Sequence, residues 1–120
     1  MIFSFVSIYD IIILGDWMID TIEINISNGI LPQLSAYVVY QDKVCYINNK
    51  KYLVDDLFLK QLKDILYTFK NEYGTSQQID AEEFIIKVSS SGREDIYHGK
   101  GVFPVNYHEF KKLLGDVYAR

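Results

Sequence analysis

The spacing of apolar residues changes twice along this chain of 120 residues, and this constrains the fold more than any other feature. From Asp20 to Ser27 apolar and polar residues alternate, with isoleucine at every apolar position. After Asp55 apolar residues recur every third or fourth position, and near Glu83 the alternation returns. A period of two is typical of a half-buried strand, and a period of about 3.6 of an amphipathic helix. The sequence therefore predicts a mixed fold of strands and helices.

Antiparallel strands joined by short turns are predicted for the first half of the domain. A β-branched and aromatic run at 36–40 follows the alternating strand at 20–27. The run at 44–47 resumes the strand pattern after a short turn, and residues 52–54 leave room for a short further strand. Such runs between turn residues are typical of a meander of strands.

A first helix is predicted near residues 55–73. Asp55 or Asp56 supplies the N-cap oxygen, and Gly74 is placed to end the helix. An apolar stripe of this kind packs one side of a helix on the core. The residues of the stripe are Phe58, Leu62, Ile65, Leu66, Phe69 and Tyr73.

A hairpin and a second helix complete the predicted domain. Residues 84–88 and 95–98 are expected to pair across a loop of serine and glycine. The second helix, near 106–118, begins at Asn106, with Glu109 three positions later as in a capping box. This order predicts an α+β fold, with an antiparallel sheet of four to six strands and two helices packed on one face. The predicted core comprises Ile22, Ile24, Val38, Phe58, Leu62, Ile65, Phe84, Ile86, Phe110 and Leu114.

Residues 1–17 are largely apolar and precede this pattern. Asp10 interrupts the apolar stretch, which is too short for a membrane span of about 20 residues and lacks the basic start of a secretory signal. Two interpretations stay open, an extra strand or a dispensable extension ahead of Met18. The domain itself is predicted at 18–120, and the single cysteine, Cys45, favours a reducing, cytoplasmic location without a membrane.

The charge distribution favours a basic partner. The formal net charge is -4, and no lysine or arginine precedes Lys43. A nucleic-acid binder needs clustered cations to displace phosphate counterions, and adjacent basic pairs occur here only at 50–51 and 111–112. The sequence therefore argues against nucleic acid and for a basic protein domain as partner.

Motifs for chemistry are sparse, so the sequence predicts no enzyme, no metal and no cofactor. Cys45 lies in an apolar run that is typical of a core strand. His98 and His108 have acids nearby, but positions on a strand end and a polar helix side explain them equally simply. The glycines around Lys100 lack the spacing of a phosphate-binding loop.

The segment 98–110, HGKGVFPVNYHEF, combines a glycine with an aromatic-Pro-x-Asn-aromatic-x-x-Phe pattern. This pattern resembles the ends of many small bacterial proteins, some of them similar to immunity proteins of polymorphic toxin and contact-dependent inhibition systems. The resemblance covers about the last quarter of the chain and carries no transferable binding residues. It implies a non-catalytic inhibitor that binds one cognate toxin.

These observations predict a non-catalytic cytosolic binding protein, in its sharpest form an immunity protein that neutralises a basic toxin domain by direct binding. An acidic surface at the starts of a helix and a strand is the expected contact. The candidate partner-binding residues are Asp55, Asp56, Asp80, Glu82 and Glu83. The alternative is a domain that binds a small ligand or a nucleic acid.

Overall fold

The computed structural model of the chain describes residues 18–29, 31–78 and 80–119. The segment 1–17, with its two interpretations, lies outside the described residues. The described part contains strands and helices in an α+β fold, which confirms the predicted class. Its elements are β1 (Thr21–Asn28), β2 (Leu31–Val39), β3 (Val44–Ile47), β4 (Lys50–Leu53), α1 (Asp56–Tyr67), β5 (Glu72–Thr75), β6 (Glu82–Ser90), β7 (Arg93–Lys100) and α2 (Tyr107–Tyr118).

The strands form one sheet in the order β4-β3-β2-β1-β6-β7-β5. Neighbouring strands are antiparallel except for β5 and β7, which run parallel. The described residues contain seven strands rather than four to six, because each edge of the sheet carries a strand of four residues. The long strand β1 lies at the centre of this sheet.

Among the described residues, both helices cover one face of the sheet, and neither helix covers the other, which we call the open face. Ile22, Ile24 and Ile26 of β1 point to the covered face, where they are buried with the apolar stripes of α1 and α2. Alternation along each strand places polar residues such as Glu23 and Asn25 on the open face. The predicted core residues are buried, except that Ile65 is half-buried and packs against the same cluster.

Helix α1 ends at Tyr67, so the predicted extension to residue 73 was wrong. The hydroxyl of Thr68 donates to the carbonyl of Ile65 at 2.7 Å and closes the last turn. Phe69 follows outside the helix, yet its buried ring meets that of Phe110 edge to face. Tyr73 lies on β5 and is half-buried. The helical spacing continued beyond the helix because both aromatic residues still face the core.

The predicted capping box of α2 was also wrong. Asn106 has φ -94 and ψ 19, which differs from the extended conformation of a side-chain cap. In the described residues its side chain makes no capping bond to α2, and its amide instead donates to the hydroxyl of Thr68 at 3.2 Å. Asn106 therefore joins the start of α2 to the end of α1.

The hairpin between β6 and β7 is confirmed, and its turn explains the sequence there. Ser91 and Gly92 occupy the turn with φ of 48 and 80. Two consecutive positive φ values are typical of a type I′ turn, whose twist matches that of antiparallel strands. Asn48 and Asn49 make the same kind of turn between β3 and β4, with φ of 50 and 72.

Gly99 is required because β7 approaches the ring of Phe84 closely. A Cβ at this position would lie 2.7 Å from Cε1 of Phe84 and would also meet the carbonyl oxygen of Val102. We expect Gly99→Ala to lower the free energy of unfolding by about 1–3 kcal/mol, because the backbone must shift to admit the methyl group.

Gly115→Ala is the matched control for Gly99→Ala in urea unfolding. A Cβ there meets no described atom within 4 Å, and the residue lies inside α2. The free energy of unfolding should therefore rise by up to about 1 kcal/mol. Similar losses in the two variants would contradict the packing argument.

Candidate functional site

The five acids predicted to bind a partner fall into two groups at opposite ends of the sheet. Asp55 and Asp56 follow Leu53, the last residue of β4. The strand pairing places Leu53 in the same row across the sheet as Ser89, near the end of β6. Asp80, Glu82 and Glu83 stand at the start of β6. The seven positions from Glu82 to Ser89 span about 23 Å, at about 3.3 Å per residue. The structure therefore does not bring the two groups together.

Asp55 and Asp56 take part in the start of α1. Oδ1 of Asp55 accepts the backbone N–H of Phe58 at 2.9 Å, which is the predicted capping bond. Asp56 pairs with Lys43 at 3.1 Å in an exposed ion pair. Exposed pairs of this kind contribute about 0–1 kcal/mol, so the main role of this group is to begin the helix.

Glu82 connects the sheet to α2. The hydroxyl of Tyr107 donates to Oε2 of Glu82, and Nζ of Lys111 lies 3.0 Å from the same oxygen. Lys111 also stands over the ring of Tyr107, 5.4 Å from its centroid. Burial, together with the bond to Glu82, raises the pKa of Tyr107. This carboxylate is therefore engaged within the fold.

Glu83 is engaged as well, through an imidazole that two carboxylates share. Nε2 of His98 lies 2.7 Å from Oε2 of Glu83, and Nδ1 lies 3.0 Å from Oε1 of Glu72. Both nitrogens can donate to carboxylates only in the protonated ring. The bond to Glu83, helped by the bond to Glu72, raises the pKa of His98 against the effect of burial. The bond to His98 in turn lowers the pKa of Glu72.

This three-residue cluster ties strands together. The two carboxylates bond to different nitrogens of His98 and do not converge on one point, which a metal ion would require. Among the described residues, no group of three or more His, Cys, Asp or Glu side chains is arranged to hold a metal. His98, Glu72 and Glu83 lie on β7, β5 and β6, so the cluster holds the short edge strand β5 to the sheet. His108 lies apart, exposed on α2.

Hydrogen bonds and ring packing fix the loop 101–106, which joins β7 to α2. The N–H of Gly101 donates to the carbonyl of Glu82 at 2.9 Å, and the N–H of Tyr107 donates to that of Pro104 at 3.1 Å. The ring of Phe103 stacks on Tyr107 with centroids 4.6 Å apart. Gly101, with φ of 70, packs against Ser76 and leaves no room for a side chain. The motif residues of this segment thus build a fixed loop.

Three apolar side chains of this loop are exposed. Val105 is 97% exposed, and Val102 and Phe103 are also exposed. The N–H of Gly101 donates to the carbonyl of Glu82, so the start of the loop lies near the start of β6, two residues after the exposed Asp80. We call Asp80, Val102, Phe103 and Val105 the loop-end surface. Of these residues the sequence analysis predicted only Asp80 as a contact, although Val105 occupies the unspecified position between the proline and the asparagine of the motif.

Comparison of the chain with family models, with curated proteins and with solved structures gives no match. In the described residues, neither helix has the length and apolar character needed to cross a membrane. The resemblance of residues 98–110 to immunity-like proteins therefore stays a prediction.

The cluster around His98 predicts a particular dependence of stability on pH. The contribution from the raised pKa of His98 is fully present below 6.5, its ordinary value, and is lost as the pH rises through the raised value. The contribution from the lowered pKa of Glu72 is present above 4.5 and is lost as the pH falls through the lowered value. The cluster should therefore stabilise the fold most between these two values.

His98→Gln tests this dependence by urea unfolding at about pH 5.5 and about pH 9. The variant should be less stable than the wild type at the lower pH, by up to about 1 kcal/mol, and the difference should shrink at the higher pH. His108→Gln, on the exposed side of α2, is the control and should follow the wild-type curve. A constant deficit of His98→Gln at both pH values would refute the charged state of the ring.

Proposed function

We propose that this protein is a non-catalytic binding protein whose loop-end surface contacts a basic protein domain. The observation that carries the proposal is Val105, 97% exposed on a loop that is anchored by Phe103 and Pro104. An apolar side chain that is already fixed outward loses little conformational freedom on binding. It can therefore fill a pocket of a partner at low entropic cost.

The chemistry of this surface supports a cationic partner. Asp80 is exposed just ahead of β6, near the start of the same loop, and the whole chain has a formal net charge of -4. Protein interfaces combine an apolar centre with a polar rim, and complementary charge accelerates association. Because Glu82 and Glu83 are bonded to Lys111 and His98, we assign the contact to Asp80 and its apolar neighbours.

A cognate toxin is the partner that the resemblance of the segment 98–110 suggests. An immunity protein neutralises a toxin by covering it, so it requires a contact surface and no chemistry of its own. The loop-end surface lies within the same segment, apart from Asp80. Gly101 and Pro104 of this segment have structural roles in the loop, but the exposed Val105 has none in the described part of the chain. The proposal gives Val105 a role that agrees with the resemblance.

Small-ligand binding is the second candidate, and it rests on a groove between α1 and α2. The groove has a volume of about 360 Å³, which is within the range of small-molecule sites. It is lined by Gln61, Asp64, Ile65, Glu109, Lys112, Leu113 and Asp116. A cationic metabolite would suit the carboxylates among them.

Val105→Asp tests the proposed contact. The protein is used to capture its partner from the native host, the captured protein is identified and purified, and binding is measured by calorimetry. We expect Val105→Asp to weaken the affinity about tenfold or more, because a charge would enter the apolar centre of the interface. Asp80→Lys should slow association with a basic partner, most strongly at low salt.

Leu57→Asp is the matched control. Leu57 is also apolar and exposed, but it lies at the start of α1, at the other end of the sheet. Its substitution should leave the affinity unchanged. Equal losses for Val105→Asp and Leu57→Asp would refute the loop-end surface. Capture of no macromolecule, together with metabolite binding that Asp64→Lys abolishes, would support the small-ligand candidate instead.

A further inference from the structure

The open face of the sheet carries apolar side chains among charges. Tyr37, Tyr46, Ile85 and Ile96 point away from the helices and are 37–46% exposed. Both helices of the described chain pack on the opposite face, with the buried isoleucines of β1. Aromatic and aliphatic side chains grouped on one flat face are typical of a surface that meets another protein.

One row of side chains that crosses the strands on this face is complementary to the same row read in the opposite direction. In the row, Glu23 of β1 stands beside Lys87 of β6. On the side away from Lys87, Glu23 is followed by tyrosines of β2 and β3. On the side away from Glu23, Lys87 is followed by an isoleucine of β7. From β3 to β7 the row consists of Tyr46, Tyr37, Glu23, Lys87 and Ile96.

We infer that the open face is the interface between two copies of this chain. A two-fold axis that runs along the strands, midway between β1 and β6, stacks the sheets face to face in an aligned packing. It sets Glu23 of each copy opposite Lys87 of the other. It also sets Tyr37 opposite Ile96, so that acid meets base and apolar meets apolar, each contact occurring twice.

The neighbouring rows of the described sheet bring no like charges together. In one of them Asn25 of each copy comes opposite Ile85 of the other, an amide against an apolar side chain. In the next row Thr21 comes opposite Ser89, and these two hydroxyls can hydrogen bond across the axis.

The size of the face suits a dimer that dissociates on dilution. Seven strands about 4.8 Å apart span about 29 Å, and the eight residues of β1 span about 23 Å. The product, roughly 670 Å², is an upper limit because the edge strands are shorter. A standard interface buries about 800 Å² of each partner, so the open face reaches the lower part of that class.

This surface differs from the one proposed for the basic partner. Gly99 faces the ring of Phe84 on the covered side, and the carbonyl of Val102 lies against Gly99 there. The loop-end surface therefore lies towards the helix side of the sheet. Dimerisation and partner binding can succeed or fail independently in experiments.

Charge reversal at the centre of the face tests the inference with the full chain. Sedimentation equilibrium over a concentration series should show the wild type passing from monomer to dimer. Glu23→Lys places lysines opposite each other across the axis, and Lys87→Glu does the same with glutamates. Each variant alone should raise the dimer dissociation constant about tenfold or more.

An equimolar mixture of the two variants should dimerise again. The introduced lysine of one then meets the introduced glutamate of the other, and the native Lys87 and Glu23 meet as before. This rescue cannot arise from repair of a contact within one chain, because each chain keeps its own reversal. Native mass spectrometry distinguishes the mixed dimer when one variant carries an isotope label.

The control is an ion pair on the helix layer. Lys60 and Asp64 of α1 are 2.7 Å apart and exposed on the opposite side of the molecule. Lys60→Glu and Asp64→Lys should each dimerise like the wild type. A wild-type monomer throughout the series would overturn the inference and leave the open face to a different protein. Reversal variants that dimerise like the wild type, or a mixture that stays monomeric, would overturn it equally.

Discussion

The burial of three isoleucines on β1 is the constraint on which the remaining structure depends. Ile22, Ile24 and Ile26 lie at the centre of the sheet, and each buried side chain contributes about 1.5–3 kcal/mol. A shift of one residue in the pairing of β1 would expose all three and bury Glu23 and Asn25. The register of β2 and β6 is thereby determined, because both pair with β1 along its length.

That register decides where the polar groups of the molecule lie. Because Glu82 pairs with Asn28 at the end of β1, the start of β6 lies beside the start of α2. The pairing of β6 with β7 places Glu83 on one side of His98. The parallel pairing of β5 with β7 places Glu72 on the other side. The edge strand β5 has few ladder bonds of its own. It is held by the bond between Glu72 and His98, together with the backbone bonds from the N–H of His98 to the carbonyl of Asn71 and from the N–H of Ser76 to the carbonyl of Lys100.

Features coded by neighbouring residues were predictable from the sequence, and those coded by distant pairings were not. The alternation of β1, the capping aspartate of α1 and the Ser91-Gly92 turn follow from local rules. The end of α1 did not follow, because Phe69 and Tyr73 maintain the helical spacing while facing the core from a loop and a strand.

The hydrogen-bond partners of the acidic residues also depend on distant pairings and were not predictable from the sequence. Glu72 and His98 are 26 positions apart and meet through parallel strands, a pairing without a local signature. Glu82 meets Lys111 across 29 positions, from a strand to a helix. A run of acids in a sequence therefore overstates the charge that a folded surface can offer. Of the three acids near β6, Asp80 is the exposed one, and its binding to a partner stays a prediction.

Single exposed apolar residues are ordinary on a protein surface, whereas a group of them is a more selective signal. Val105, 97% exposed, stands with the exposed Val102 and Phe103 on one fixed loop. Such a residue contributes nothing to the core, and the bonds of Gly101 and Pro104 prevent the loop from folding it inward. Tyr37 and Ile96 also point outward, because side chains alternate between the two faces of the sheet and the isoleucines of β1 take the buried face. The exposed Asp80 lies near the start of the loop that carries Val105, and a pair of opposite charges, Glu23 and Lys87, lies between Tyr37 and Ile96. The two surfaces therefore differ in the partner proposed for each: a basic protein for the surface with the exposed acid, and a second copy for the face whose charges balance in reversed order.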